Sequence, residues 1–167
     1  MSTVVVVGNP KPASRTRAAA EAVAERLTGA PADRVVDVVE LGAGLLGWGD
    51  PDVAEAVAAV RAAEVVVVAS PTYKATYTGL LKLFLDQIGT GDLAGVVAVP
   101  LMLGGGPTHA LAPELLLKPV LVELGATVPT RGLYLVDRAW DAPGPLDDWV
   151  ALAAPQVAAA RTAFRRD

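Results

Sequence analysis

The sequence contains no cysteine and only one histidine, and both scarcities limit the chemistry it can support. Without cysteine there is no disulfide, no thiolate metal ligand and no cysteine nucleophile. A single histidine argues against a histidine-based metal site, and no serine–histidine–aspartate arrangement is apparent. We therefore expect no metal centre and no side chain acting as a catalytic acid, base or nucleophile.

Charge is also sparse. Charged residues make up 19% of the 167 residues, and the formal net charge is −4. This balance does not favour a general nucleic-acid-binding domain, which needs a basic face. No apolar stretch is long enough to span a bilayer and no basic region precedes the first valines, so we expect a cytoplasmic protein. The 53% of hydrophobic residues suffices for a well-filled core in one domain covering residues 1–167.

Short valine-rich runs alternate with helix-like segments along the chain. Strands are predicted at 3–8, 34–41, 64–70, 95–103 and 127–136. Helices are predicted at 14–28, 51–63, 79–88, 109–124 and 146–166, the last one kinked or broken at Pro155. This repetition predicts a parallel sheet with helices on both faces. It favours a three-layer, flavodoxin-like α/β fold with strand order 2-1-3-4-5.

The loop after the first predicted strand, GNPKPASRTR, has features of a phosphate site. Ser14 is expected to cap the following helix, whose N-terminus offers free N–H groups and a positive dipole end. Arg15 and Arg17 oppose that dipole, so a bound anion would offset a local cost. The alternative is an ordinary helix cap with solvated arginines. The predicted fold places the loop at the ligand crevice, which favours phosphate binding.

The segment after the third predicted strand reads SPTYKATYTG. Ligands of open α/β sheets bind outside the carboxyl ends of the strands. Pro71, Thr72, Tyr73 and Lys74 are therefore expected to face a planar, hydrogen-bonding ligand, although a half-buried tyrosine and a solvated lysine are the plainer alternative. Tyr77 is expected at a subunit contact instead. The next helix carries more apolar residues than one core stripe needs, so burial and a subunit interface remain equal alternatives for it.

Two further segments are rich in glycine. Gly104, Gly105 and Gly106 follow the fourth predicted strand, where they would let the backbone approach a flat ligand and present N–H groups. His109, just beyond them, fits a hydrogen-bonding role at a helix start better than that of a base. Residues 42–47 match G-x-G-x-x-G but follow the second strand, with a gap before the next helix. We interpret them as a loop rather than a dinucleotide site.

The three ligand-facing segments together resemble the NAD(P)H-dependent FMN reductases of flavodoxin-like fold. The closest likeness is to the branch that supplies reduced flavin to two-component monooxygenases, such as the alkanesulfonate system. Its G-S-P-S-x-x-S-R-T loop corresponds to GNPKPASRT, and its T-P-x-Y-K-A-x-Y-S-G segment to SPTYKATYTG. Its G-G-x-x-x-H segment leading to K-P-V-L corresponds to GGGPTH leading to KPVL. The resemblance extends to about Tyr134.

The resemblance implies FMN and NAD(P)H as cofactors, with hydride passing from nicotinamide to flavin. It implies that the first loop holds the FMN phosphate and that the other two segments border the isoalloxazine ring. The residues so implicated are Asn9, Lys11, Ser14, Arg15, Thr16, Pro71, Thr72, Tyr73, Lys74, Gly104, Gly105 and Gly106, of which Asn9 and Lys11 replace two serines of the family loop.

The resemblance also implies partners. Reduced FMN would leave for a flavin-dependent monooxygenase, and members are commonly dimers or tetramers. Tyr77 matches an inserted tyrosine that forms a π-helix at a tetramer interface in this branch and is associated with flavin exchange. We therefore expect Tyr77 at the interface of a homo-oligomer, on a helix distorted by its insertion.

Three other functions stay open on the sequence alone. The chain could retain FMN and reduce a bound quinone, azo or nitro compound. It could be a flavodoxin-like electron carrier, although the basic residues Lys11, Arg15, Arg17 and Lys74 near the predicted site argue against the acidic surroundings typical of carriers. It could also be a binding module that has lost FMN through its altered first loop.

Overall fold

Five parallel strands form one sheet in the computed structural model, which describes residues 2–164. The strands are β1 Thr3–Val7, β2 Arg34–Asp37, β3 Val65–Pro71, β4 Val97–Gly104 and β5 Leu133–Val136. Their spatial order is β2-β1-β3-β4-β5. The predicted flavodoxin-like order 2-1-3-4-5 is therefore confirmed, and the reversal of strand order falls between β1 and β3.

Helices cover both faces of the sheet. They are α1 Arg15–Thr28, α2 Pro51–Arg61, α3 Gly79–Leu85, α4 Lys118–Glu123 and α5 Pro145–Phe164. Alternate strand residues face opposite ways, and all of β1, β3 and β4 is buried. Val4 and Val6 share a core cluster with α2, α3 and α4, whereas Val5 and Val7 pack with α1 and α5. The predicted three layers are present.

Two strands are shorter than the sequence predicts. β2 ends at Asp37 because its only neighbour, β1, ends opposite it at Val7, and a 3-10 segment, Val38–Leu46, follows. β5 begins only at Leu133, where it meets Leu101 of β4. The earlier residues of the predicted strand contribute one isolated bridge, from Thr127 to Val97. The end of β1 sets the end of β2, whereas β5 starts opposite the middle of β4, so the start of β4 does not set it.

The predicted helix 109–124 is divided. A 3-10 turn at Pro107–His109 is followed by a π-turn at Pro113–Leu117 and then by α4. Pro119 has no N–H to donate, which removes one α-type bond at this junction. The last helix, in contrast, runs through Pro155 without a break, because Ala153 and Val157 on either side are buried in the core. Its predicted end at residue 166 lies outside the described residues.

The prediction for Tyr77 is wrong in one respect. Tyr77 lies before α3, which is capped by Thr78, and the described α3 is a regular α-helix. The preceding residues reverse direction in a tight turn, in which Lys74 and Ala75 both have positive φ. This turn delays the helix start, so Tyr77 cannot be an insertion within it. Leu81, Phe84 and Leu85 of α3 are buried, whereas Leu83 is an exposed apolar residue of this helix.

No helix within residues 2–164 has the length and apolar character that a membrane crossing requires.

Candidate functional site

A cleft of about 420 Å³ lies at the carboxyl ends of β1, β3 and β4. This is where ligands bind in open α/β sheets. Nine predicted site residues line it: Asn9, Lys11, Ser14, Arg15, Pro71, Thr72, Tyr73, Gly104 and Gly105. The other three do not: Thr16 is buried beneath the first loop, Lys74 is exposed on the turn, and Gly106 lies just beyond the lining.

The first loop is held by its own side chains. The Asn9 amide nitrogen donates to Thr16 Oγ1 at 2.9 Å, and Asn9 Oδ1 accepts the Lys11 N–H at 2.9 Å. Ser14 caps α1 as predicted, with its hydroxyl accepting the Arg17 N–H at 3.2 Å. Asn9 and Thr16 thus fix the loop that turns the N-terminus of α1 toward the cleft, where first-turn N–H groups lack helical partners.

The loop between β3 and α3, called the second loop below, is held at its ends by two buried hydroxyls. Ser70 Oγ accepts the Thr78 N–H at 3.0 Å, and Thr78 Oγ1 donates to the Gly8 carbonyl at 2.6 Å. The Thr72 N–H donates to the Leu103 carbonyl at 2.7 Å, which extends the β3–β4 pairing into the loop. The cleft walls formed by the first and second loops are therefore tied to each other through Thr78.

Tyr134 of β5 contacts the glycine loop, which consists of Gly104, Gly105 and Gly106. Its hydroxyl donates to the Gly106 carbonyl at 2.7 Å. A Cβ added at Gly104 would lie 1.9 Å from Tyr134 Oη and 3.4 Å from Thr72 Oγ1. Gly104 is therefore needed for the close approach of the tyrosine hydroxyl.

Comparisons with known proteins identify the family of the chain. A model of the family described as NADPH-dependent FMN reductase matches residues 1–141. The chain belongs to this family. The predicted family, and the prediction that the chain is an NAD(P)H-dependent FMN reductase, are confirmed.

Alignments with individual relatives cover most of this reductase chain. It is 33% identical over 146 residues to the NADH-dependent FMN reductase SfnF of Pseudomonas putida, an alignment that covers 83% of this chain and 78% of that protein. It is 32% identical over 169 residues to an FMN reductase (NADPH) of Pseudomonas aeruginosa, covering 93% and 89%. The apo crystal structure of the NADH:FMN oxidoreductase EmoB superposes with a TM-score of 0.83 at 31% identity, covering 99% and 91%.

Sequence reasoning missed three residues that line the reductase cleft: Ala13, Leu103 and Asp137. Asp137 directly follows β5, so its place at the carboxyl edge of the sheet was a usable signal. Ala13 has a positive φ of 48°, and an alanine in the sequence gives no sign of that backbone conformation. His109 is exposed on the 3-10 turn and lines a separate apolar hollow, away from the cleft.

Asp37 lies buried beneath the first loop of the reductase. Its Oδ2 accepts the Ala13 N–H at 3.4 Å and lies 3.8 Å from Arg17 Nη1. Its Oδ1 has no partner within the part of the chain that the structure describes. Burial raises the pKa of Asp37, and the Ala13 N–H and the Arg17 guanidinium offset this only in part.

Asp37→Asn is expected to raise the free energy of unfolding at pH 7. A carboxyl whose pKa is raised on folding favours its protonated form in the folded state, so its ionisation costs stability at neutral pH. The stabilising effect of the amide should shrink as pH falls through the raised pKa toward the ordinary value of about 4. Urea denaturation of both proteins at pH 7, 5 and 4 measures this. A loss of stability at pH 7, or a gain independent of pH, would contradict it.

Proposed function

We propose that this reductase binds FMN in the cleft as an exchangeable substrate and delivers reduced FMN to a flavin-dependent monooxygenase in the cytoplasm. The observation that carries the proposal is one cleft that joins the N-terminus of α1 to the loops after β3 and β4. For a phosphate, this cleft offers the N–H groups of a helix N-terminus. For a flat ring system, it offers the hydrogen-bonding loops at the ends of β3 and β4.

The residues present fit FMN. Thr72 Oγ1 is buried in the cleft wall without a hydrogen-bond partner in residues 2–164, so a polar ligand atom would satisfy it. The volume of about 420 Å³ lies in the range of small-molecule sites. In this proposal Ser14, Arg15 and Lys11 hold the phosphate, while Asn9 and Thr16 keep their loop in shape.

The ring would lie between the loop after β3 and the glycine loop. Pro71, Thr72 and Tyr73 border it on one side, and Gly104 and Gly105 on the other. A bound flavin accepts a hydride from a nicotinamide, and that chemistry belongs to the two cofactors. The protein's part is to orient them and to shield them from water. The exposed Tyr73 and Gly105 leave a side of the cleft open to the nicotinamide.

NAD(P)H oxidation by the purified protein should depend on added FMN. We expect little flavin to copurify, because the cleft is open to solvent where Lys11, Arg15 and Tyr73 line it. The test follows NADH and NADPH oxidation with no flavin, FMN, FAD or riboflavin, and with a quinone in place of flavin. Stoichiometric FMN that survives purification, with turnover that needs quinone but no added flavin, would overturn the proposal in favour of an FMN-retaining reductase.

We also propose that the chain forms a homo-oligomer, a dimer or tetramer. Leu111, Leu115, Leu116 and Val122, on and beside the π-turn and α4, are exposed apolar residues. Leu111, Leu115 and Leu116 line one apolar hollow, and exposed apolar surface of this kind is typical of interaction sites. Tyr77, half-buried against the core, is proposed to contribute at the edge of a subunit contact. Light scattering should give at least twice the monomer mass for the wild type and a smaller mass for Leu115→Glu; a monomeric wild type would contradict this.

A further inference from the structure

Arg15 and Asp137 form an ion pair across the cleft. Arg15 is the first residue of α1, and Asp137 is the first residue after β5. Arg15 Nη2 lies 2.6 Å from Asp137 Oδ2, and Arg15 Nε donates to Asp137 Oδ1 at 3.1 Å. Both residues line the cleft. Two segments separated by more than a hundred residues thus meet at the end proposed for the phosphate.

The pair occupies the part of Arg15 that a phosphate would use. Two parallel N–H···O bonds are the geometry in which arginine binds both carboxylates and phosphates. Here the Nε edge of the guanidinium is already engaged by both oxygens of Asp137. The other arginine of this helix start, Arg17, is directed to Glu21 at 3.4 Å and toward Asp37 at 3.8 Å. Both arginines near the first loop therefore face carboxylates.

The exposure of the pair allows it to open. The side chains are 59% exposed for Arg15 and 29% exposed for Asp137. Ion pairs in contact with solvent contribute little to stability, so a phosphate can displace this one. A displaced Asp137 would still line the same cleft and repel a phosphate through its like charge.

We propose that Asp137 competes internally with the FMN phosphate for Arg15 and thereby weakens flavin binding. The inference rests on the proposed function, because it concerns flavin as an exchangeable substrate. An enzyme that hands on reduced FMN must release it, and a carboxylate that recaptures the phosphate-binding arginine speeds this release. Asp137 is a residue that sets affinity, not a catalytic residue.

The test is Asp137→Asn, which keeps the shape of the side chain and removes its charge. FMN should bind roughly three- to tenfold more tightly than to the wild type, since the competing pair and the repulsion both weaken. The FMN dissociation rate in stopped-flow should fall by a similar factor. Affinity for riboflavin, which has no phosphate, should not change.

Asp147→Asn is the matched control. Asp147 pairs with Arg26, and so also joins α1 to the C-terminal part of the chain, but it does not line the cleft. The same change of charge there should leave FMN affinity unchanged. Unchanged or weaker FMN binding by Asp137→Asn would overturn the inference, as would an equal gain for riboflavin. A wild type that binds no FMN would overturn the proposed function itself, a result distinct from either.

Discussion

Gly104→Ala is expected to weaken FMN binding roughly tenfold and to lower the free energy of unfolding by about 2 kcal/mol. The new Cβ would lie 1.9 Å from Tyr134 Oη and 2.8 Å from Tyr134 Cζ, so the tyrosine must move. Its movement breaks the hydrogen bond to the Gly106 carbonyl that supports the glycine loop. Fluorescence titration with FMN and urea denaturation measure the two effects.

Two further variants test whether the overlap with Tyr134 causes the effects of Gly104→Ala. Gly106→Ala is the control in the same loop, because its Cβ would meet no atom within 4 Å and its backbone is extended. It should change stability by less than about 0.5 kcal/mol. In a Tyr134→Phe background, Gly104→Ala should cost less than in the wild type, since the nearest clashing atom is gone. Equal costs in both backgrounds would show that the tyrosine hydroxyl is not the cause.

Gly8→Ala is expected to lower the free energy of unfolding by about 3 kcal/mol. Gly8 follows β1 where α3 crosses it, and its Cβ would lie 2.4 Å from Leu81 Cβ and 3.1 Å from Leu81 Cα. These atoms belong to the base of a buried residue, so no side-chain rotation relieves the overlap. The helix must shift, which also strains the Thr78 Oγ1 bond to the Gly8 carbonyl.

The control for Gly8→Ala is Gly79→Ala, two residues from Leu81 on the same helix. Its Cβ would meet nothing within 4 Å, so we expect a change of less than about 0.5 kcal/mol. Urea denaturation curves for the three proteins provide the comparison. Equal midpoints for the two alanine variants would contradict the packing that ties the first loop to α3.

The features that sequence predicted correctly depend on local chemistry. The Ser14 cap could be predicted because capping involves residues only three apart along the chain. The strand order followed from the alternation of strands and helices, which leaves few topologies for five parallel strands. The three motifs, after the first, third and fourth strands, were sufficient to place nine of twelve predicted residues in one cleft.

The features it missed depend on contacts between distant segments. The end of β2 is set by the end of its neighbour β1, and β5 pairs with β4 only from Leu133 onward. Gly104 was predicted to admit a ligand, and nothing in the sequence showed that its missing Cβ also leaves room for Tyr134, thirty residues later. Tyr77 was placed on a helix because the motif could not show that the turn at Lys74 and Ala75 delays the helix start. Such pairings have no local signal in a single sequence.

The most direct test of the account is the ratio of the dissociation constants for riboflavin and FMN. The central claim is that the N-terminus of α1 and Arg15 hold the FMN phosphate in this cleft. Charge-assisted hydrogen bonds of this kind contribute about 1.5 kcal/mol or more, so FMN should bind at least roughly tenfold more tightly than riboflavin. Titration of flavin fluorescence with the purified protein at one fixed ionic strength gives both constants. Equal affinity for the two flavins would contradict the account.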